Sequence, residues 1–410
     1  MRVLYLHQYF NTPSMSGSTR SYEMARRLVT MGHQVILITS DREGVKQGWH
    51  ETIVDGIQVH WFSSKYSNRM SYFRRILAFF RFAFAASIHS KKLKYDIVFA
   101  TSTPLTIAIP GVLASRRRKV PMVFEVRDLW PAVPIALGAI RNPLLIAASK
   151  ALEKFAYKHS ARIVALAPGM KEHIISRKYP ADLITVIPNG CDAVLQDLGN
   201  LKFDTLGEQG KRLEGHPIIL YAGTLGLVNG TEWIVRVAAK HLPINPNTLF
   251  LLIGDGRKKN DTVQLAKRLG VYNQNTFFLP AMPKRELLSW FNQCIAAFVT
   301  IEGPDFYVRD SVCNKFFDAI SAGKPIFANH HGFSIDVAVN ADCAKVLPKD
   351  EVAAAETIAS TLRDIEWMNS APRNAKELAN SIFSRDKLAG DLAQVLESAT
   401  NTSVRLMTTW

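Results

Sequence analysis

The chain has 410 residues, 48% of them hydrophobic and 21% charged, which is too long for one ordinary core and comfortable for two domains. Its four cysteines, Cys191, Cys294, Cys313 and Cys343, form no CxxC pair, which excludes a zinc-finger pattern or a disulfide framework and fits a reducing compartment. The net charge of +15 is one-sided: residues 1–190 hold 27 Lys and Arg against 11 Asp and Glu, and residues 191–410 hold 23 against 24. A basic half beside a neutral half points to one domain that meets an anionic surface or ligand.

The chain opens on Met1–Leu6 and turns polar at His7, a buried first strand too short for a signal peptide. Further strands are expected at Val35–Thr39, Gln58–Phe62, Ile97–Thr101, Met122–Val126, Arg162–Ala165 and Ile184–Pro188. Amphipathic stretches such as Arg20–Met31 and Pro143–His159 lie between them. The pattern restarts with Ile218–Ala222, Leu249–Gly254, Thr276–Leu279, Ile295–Val299, Pro325–Ala328 and Ala344–Leu347. Near-continuous apolar strands alternating with helices predict an α/β chain with two doubly wound parallel sheets. The boundary falls near Pro188-Asn-Gly-Cys-Asp192, followed by a weakly periodic linker over Ala193–Gly215.

The segment Lys65–Lys94 stands apart. It holds eight basic residues and no acidic one, and within it Phe73, Ile76, Leu77, Phe80 and Phe84 share a helical face. The apolar run is interrupted by Arg81 and falls short of the roughly 20 residues that span a bilayer. One reading is a helix lying on anionic headgroups through Arg74, Arg75, Phe80 and Arg81, helped by Arg116-Arg-Arg-Lys119. The other is a buried helix whose arginines snorkel to solvent.

Several strand ends suit phosphate. The first strand leads through Ser14-Met-Ser-Gly-Ser-Thr-Arg20 into a helix, where small residues let backbone N–H groups approach an anion; a plain strand–helix turn fits equally. Tyr221-Ala-Gly-Thr-Leu-Gly226 and Gly254-Asp-Gly256 repeat the arrangement, the latter beside Arg257, Lys258 and Lys259. Asp310 or Ser311 is placed to cap a helix that Gly323 and Pro325 stop, with Lys315 one turn in. On one continuous helix, Asp310 and Asp318 would lie about 12 Å apart along its axis. That is too far for the acid–base pair of a glycosidase, which needs roughly 5–9.5 Å. The pair suits gripping two ends of an extended ligand, or else it is a cap and a solvent-facing residue.

Taken in order, Gly17-Ser-Thr-Arg20, Arg127-Asp-Leu-Trp-Pro131, Ile187-Pro-Asn-Gly190, Tyr221–Gly226, Gly254-Asp-Gly256 and Lys315–Pro325 resemble the retaining GT-B-fold glycosyltransferases of family 4. The likeness is nearest to the branch that builds bacterial surface polysaccharides such as O-antigen and capsule. It implies two facing Rossmann-like domains. Residues 1–190 would bind the acceptor and residues 191–382 the nucleotide sugar, while 383–410 would form a helix crossing back and a frayed tail.

The family signature of two glutamates separated by seven residues maps onto Asp310 and Asp318. The first would contact the donor sugar and the second the ribose, each with a side chain one methylene shorter. Gly17, Ser18, Gly223, Thr224, Gly254, Arg257 and Lys315 complete the implied donor site. Arg20, Arg127 and Asp128 are implied for the acceptor, and Asp310, Arg127 and Lys315 for catalysis. Arg127 stands where many relatives have histidine, and is free either to hold an acceptor phosphate or to pair with Glu125 or Asp128. Leu225–Asn229 lacks the Arg and Lys that many relatives carry there.

The resemblance further implies no metal and no cofactor besides the UDP-sugar substrate. The expected partners are a polyprenyl-diphosphate-linked glycan and an anionic membrane surface on its cytoplasmic side, with no nucleic acid. Two other readings stay open: a UDP-sugar 2-epimerase, and a non-catalytic assembly scaffold. The absence of a GxGxxG fingerprint argues against a nicotinamide-dependent dehydrogenase.

Overall fold

The computed structural model describes residues 1–15, 17–42, 47–64, 70, 72–192, 203 and 208–407. Of the expectations above, Ser16, Lys65, Arg69, most of the 193–215 linker and the last residues of the tail lie outside these. Two compact units are present. One comprises Met1–Thr12, Ser18–Pro188 and Arg385–Trp410, the other Pro13–Gly17 and Asn189–Ser384.

The first unit runs β1 (Arg2–Leu6), α1 (Arg20–Thr30), β2 (Gln34–Asp41), β3 (Trp49–Val54), β4 (Ile57–Ser63), α2 (Tyr72–His89), β5 (Ile97–Thr101) and α3 (Ala108–Arg118). It continues with β6 (Met122–Val126), α4 (Ala132–Ala136), α5 (Pro143–Lys158), β7 (Arg162–Ala165), α6 (Pro168–Ser176) and β8 (Ile184–Val186). Its strands form one eight-stranded sheet in the order β3-β4-β2-β1-β5-β6-β7-β8. Every residue of β5 and β6 is buried, which is why these strands are apolar except at Thr101 and Glu125 rather than alternating.

The alternation pattern predicts a wholly parallel sheet, and this sheet departs from it at one edge. β3 pairs antiparallel with β4 through Val54 and Ile57. The two-residue turn between them is Asp55-Gly56, with φ of 46° and 78°. Both residues are left-handed, as a type I′ hairpin requires.

The second unit runs α7 (Glu208–Leu213), β9 (Ile218–Ala222), α8 (Thr231–His241), β10 (Leu249–Ile253), α9 (Lys259–Arg268), β11 (Thr276–Leu279), α10 (Lys284–Gln293) and β12 (Ala296–Val299). Then come α11 (Asp305–Arg309), α12 (Asn314–Ser321), β13 (Ile326–Ala328), α13 (Phe333–Asn340), β14 (Ala344–Val346), α14 (Glu351–Arg363) and α15 (Ile365–Asn380). The six strands are ordered β11-β10-β9-β12-β13-β14, all parallel. Tyr221, Phe250, Phe298, Phe327 and Ile358 lie in the core between sheet and helices. The last helix, α16 (Arg385–Met407), belongs to the first unit, where it packs on α1 and Arg27 holds Asp386 at 2.6 Å.

In each sheet the chain reverses its direction of winding once, between β1 and β5 and between β9 and β12. Ligands of open α/β sheets bind outside the carboxyl ends of the strands at such switch points.

Candidate functional site

At the switch point of the second sheet, two glycine loops lie backbone against backbone. The chain leaves β9 at Gly223, whose N–H donates to Ile253 O, and leaves β10 at Gly254. A Cβ on Gly254 would sit 1.8 Å from Gly223 O, and one on Gly256 would sit 2.4 Å from Leu225 O. Leu225 N then donates to Asp255 O, and Lys258 N to Leu225 O. The packing leaves Gly223 and Thr224 exposed. Of the three basic residues after Gly256, Lys258 is held by Glu232 and Asp261, and Lys259 by Gly254 O. Arg257 is exposed.

Lys315 rises from the first turn of α12 into the same place. Its Nζ donates to Thr300 O at 2.6 Å and lies 4.7 Å from the centroid of the Tyr221 ring. The residue is 7% exposed, and burial lowers its pKa from the usual lysine value.

The expected cap is not formed. Asp310 N donates to Phe306 O and so closes α11, while the Asp310 carboxylate accepts from Arg309. α12 begins only at Asn314, after Cys313, and no side chain caps it. Asp310 and Asp318 therefore do not share one helix, and the spacing estimated along one does not apply. Asp318 is buried and paired with Lys284 of α10.

Beside these groups opens a cavity of about 880 Å³, lined by Ile301 and Glu302 after β12, Asn329 and His330 after β13, Leu347 after β14, and Arg309. Sequence reasoning missed Glu302, Asn329 and His330. They come from separate strand ends, and no local motif joins them. Asn329 Oδ1 accepts from Ile301 N at 2.9 Å and ties two of these ends together.

The first sheet presents a second cluster beyond its own switch point. Arg127, after β6, donates to His7 Nε2 at 3.2 Å and to Ser18 Oγ at 3.1 Å. Guanidinium can only donate, so His7 Nε2 accepts and Nδ1 carries the proton toward Ser21 Oγ, 2.8 Å away. Burial, then the charges of Arg127 and Arg42, hold the His7 pKa well below its usual value, so the ring is neutral. Arg127 is thus paired with neither Glu125 nor Asp128. Asp128 is exposed and accepts from Thr103 Oγ1, and Gly17 adopts φ 124°, in the region that favours glycine.

Arg20, expected at the acceptor, is instead buried at 4% exposure. It makes a 2.7 Å salt bridge to Glu125, and its other donors reach Ile187 O and Pro188 O. Its hydrogen bonds join α1, β6 and the end of the first unit, so it is a structural tie and not an acceptor contact.

Of the residues expected at a membrane, Arg74, Phe80 and Arg81 are exposed, and Arg75 is half-buried. α2 buries Ala78, Phe79, Phe82, Ala83 and Ala86 and leaves Leu77, Phe80, Phe84 and Ile88 in solvent, Phe84 at 70% exposure. It is apolar on both faces, unlike an ordinary surface helix. Among the described residues no helix is long and apolar enough to cross a membrane.

Comparison with known proteins agrees with this architecture. A family model described as Glycosyl transferase 4-like domain matches residues 17–190, and one described as Glycosyl transferases group 1 matches residues 203–378. The phosphatidylinositol N-acetylglucosaminyltransferase GPI3 subunit of Saccharomyces cerevisiae (strain RM11-1a) is 24% identical over 308 residues, 74% of this chain. The match spans 64% of the yeast protein's length. WcaI of Escherichia coli (strain K12), named for colanic acid biosynthesis as a glycosyl transferase, is 22% identical over 300 residues, covering 69% of this chain and 73% of WcaI. The structure of Anabaena Alr3699/HepE in complex with UDP-glucose superposes with a TM-score of 0.67 at 17% identity, covering 97% of this chain and all of that one. The two family models together span most of the chain, each over one Rossmann-like unit, and the protein belongs to the GT-B-fold glycosyltransferases, its second half of the group 1 type.

Proposed function

We propose that this protein transfers a sugar, an N-acetylated amino sugar by preference, from a UDP donor to a polyprenyl-diphosphate-linked glycan, with retention, at the cytoplasmic face of a membrane. The observation that carries the proposal is the constellation at the second switch point. Exposed glycine-loop backbone at Gly223–Thr224, the enclosed ammonium of Lys315 and the start of α12 lie there, and Asp310 and Asp318 flank Lys315 in sequence. Backbone N–H groups, a helix dipole and a cation are what stabilise a departing diphosphate. Arg257, exposed on the neighbouring loop, adds charge. In this reading the acceptor hydroxyl attacks from the face the diphosphate leaves, and a diphosphate oxygen takes its proton, so no enzymic nucleophile is required. Arg127 serves the phosphate of the acceptor, because its hydrogen bonds go to neutral His7 and to Ser18 and not to a carboxylate.

The relatives support donor and acceptor in kind. One is named for N-acetylglucosaminyl transfer to a phosphatidylinositol, one for a polysaccharide, and one is described with UDP-glucose. The membrane side rests on α2. Its exposed apolar row, flanked by Arg74 and Arg81, shares Phe80 with an apolar slot lined also by Phe79, Trp130, Ile140 and Leu145, which suits a lipid tail.

Incubation with labelled UDP-N-acetylglucosamine is the direct test. Label should enter the lipid phase only when a polyprenyl-diphosphate-linked sugar is present. Donor turnover without any acceptor would replace the transferase with an epimerase. Separately, reversing Arg74, Arg75 and Arg81 to glutamate should weaken binding to anionic liposomes by about 100-fold or more, since each basic residue at such a surface contributes roughly 1 kcal/mol. Unchanged sedimentation with the vesicles would remove α2 from the membrane.

A further inference from the structure

Glu51 on β3, His60 on β4 and His89 at the end of α2 bring three ligand-type atoms to one point, and nothing in the proposed transfer uses them. His60 Nδ1 lies 2.9 Å from His89 Nε2 and 3.0 Å from Glu51 Oε1, and all three atoms lie within 4.8 Å of one another. With one proton on His60 Nδ1, that proton must be shared between two acceptors. If His60 Nδ1 accepts from His89, its lone pair faces the Glu51 carboxylate. If it instead donates to Glu51, the His89 nitrogen is left facing an N–H already committed elsewhere. In either tautomer His60 Nε2 is buried without a partner. A cation at the point of convergence accepts all three lone pairs at once.

We propose that Glu51, His60 and His89 form a binding site for a divalent transition-metal ion of the zinc type, with solvent completing its coordination. Two imidazoles and one carboxylate select such a metal over magnesium or calcium, which take oxygen ligands. Zinc–ligand bonds of about 2.0–2.2 Å place tetrahedral neighbours roughly 3.3 Å apart, so the two His60 contacts need to open by only a few tenths of an ångström, while His89 and Glu51 already lie within 4.8 Å. His89 is already oriented by Trp49, whose ring stacks on it with centroids 3.8 Å apart and planes 12° from parallel. The ion would tie the antiparallel edge hairpin to the C-terminal end of α2, a structural role separate from sugar transfer.

The test is titration of metal-free protein, without an affinity tag, using Co²⁺ as a spectroscopic probe and Zn²⁺ as competitor. The expected result is one equivalent bound, displaced by Zn²⁺ and not by Mg²⁺, with a rise in melting temperature. Glu51→Gln, at an exposed side chain, and His89→Ala should each weaken binding by about tenfold or more, the least that disturbing even an outer-shell partner costs at such sites. Glu51→Gln should melt like the parent in chelator. His216→Ala and His331→Ala should bind as the parent does. Failure of the parent to bind a stoichiometric ion would overturn the proposal, as would binding insensitive to the Glu51 and His89 changes or equally sensitive to the control changes.

Discussion

Glu125→Ala should destabilise the first unit by about 3–5 kcal/mol, the cost of leaving a buried charge without its partner. The pair it breaks is almost fully enclosed, with side-chain exposures of 3% for Arg20 and 0% for Glu125. Arg20 would keep its positive charge in the interior with only the Ile187 and Pro188 carbonyls to face. Arg20→Met combined with Glu125→Leu should cost much less than either single change, because the ion pair is removed whole and the losses are confined to those carbonyls and the Thr101 hydroxyl. Urea denaturation of the three variants measures this. A single change costing under about 1 kcal/mol would mean that the pair is solvated.

The pH dependence has a definite sign. Burial pushes the Glu125 carboxyl up, but Arg20 and Arg127, with hydrogen bonds from Arg20 and Thr101, outweigh it and hold the group below its usual value. A depressed carboxyl contributes stability above its unfolded pKa, and the contribution is lost as pH falls through the native value. The difference in stability between parent and Glu125→Gln should therefore be full at neutral pH and shrink on acidification below about pH 4.

Gly254→Val should be the most damaging change in the second unit. The position has φ 155°, and an added Cβ would meet Gly223 O at 1.8 Å and Leu225 Cδ1 at 2.9 Å. The first of these is backbone and cannot swing aside, so the two glycine loops must separate. Donor affinity should fall by at least about 100-fold, equivalent to about 2.7 kcal/mol. Gly390→Ala is the matching control. Gly390 lies within α16 with nothing within 4 Å of its ideal Cβ, so alanine there should stabilise by about 0.5–1 kcal/mol. Donor affinity in Gly254→Val equal to that of the parent would show that the loops do not shape the nucleotide site.

The strands were legible because a sheet covered on both faces leaves continuous apolar runs, and thirteen expected strands have counterparts in the described residues. The strand that escaped, β3, is half-exposed at a sheet edge and reads Trp49-His-Glu-Thr-Ile-Val, with little apolar continuity. Its signal was the Asp55-Gly56 turn, a local cue to an antiparallel hairpin. The local geometry was legible at Gly223, Gly254 and Lys315, where glycine-rich strand ends do pack backbone to backbone and a lysine does sit in the first turn of a helix. Reading failed where a partner outside the motif decides a side chain's fate. Glu125 lies 105 residues from Arg20 and claims it for the core. Arg309, next door to Asp310, draws its carboxylate away from capping. Glu51, His60 and His89 meet only because a hairpin and a helix end are packed together, which no spacing announces.

The central claim is that the second unit binds a uridine nucleotide, and it is tested most directly by melting the purified protein with UDP, GDP, ADP and NAD at equal concentration. A ligand present at about 100 times its dissociation constant adds roughly 2.7 kcal/mol. The account predicts a clear rise with UDP, none with ADP or NAD, and a smaller UDP response in Asp318→Ala. No shift with any nucleotide, or a shift with NAD instead, would contradict it.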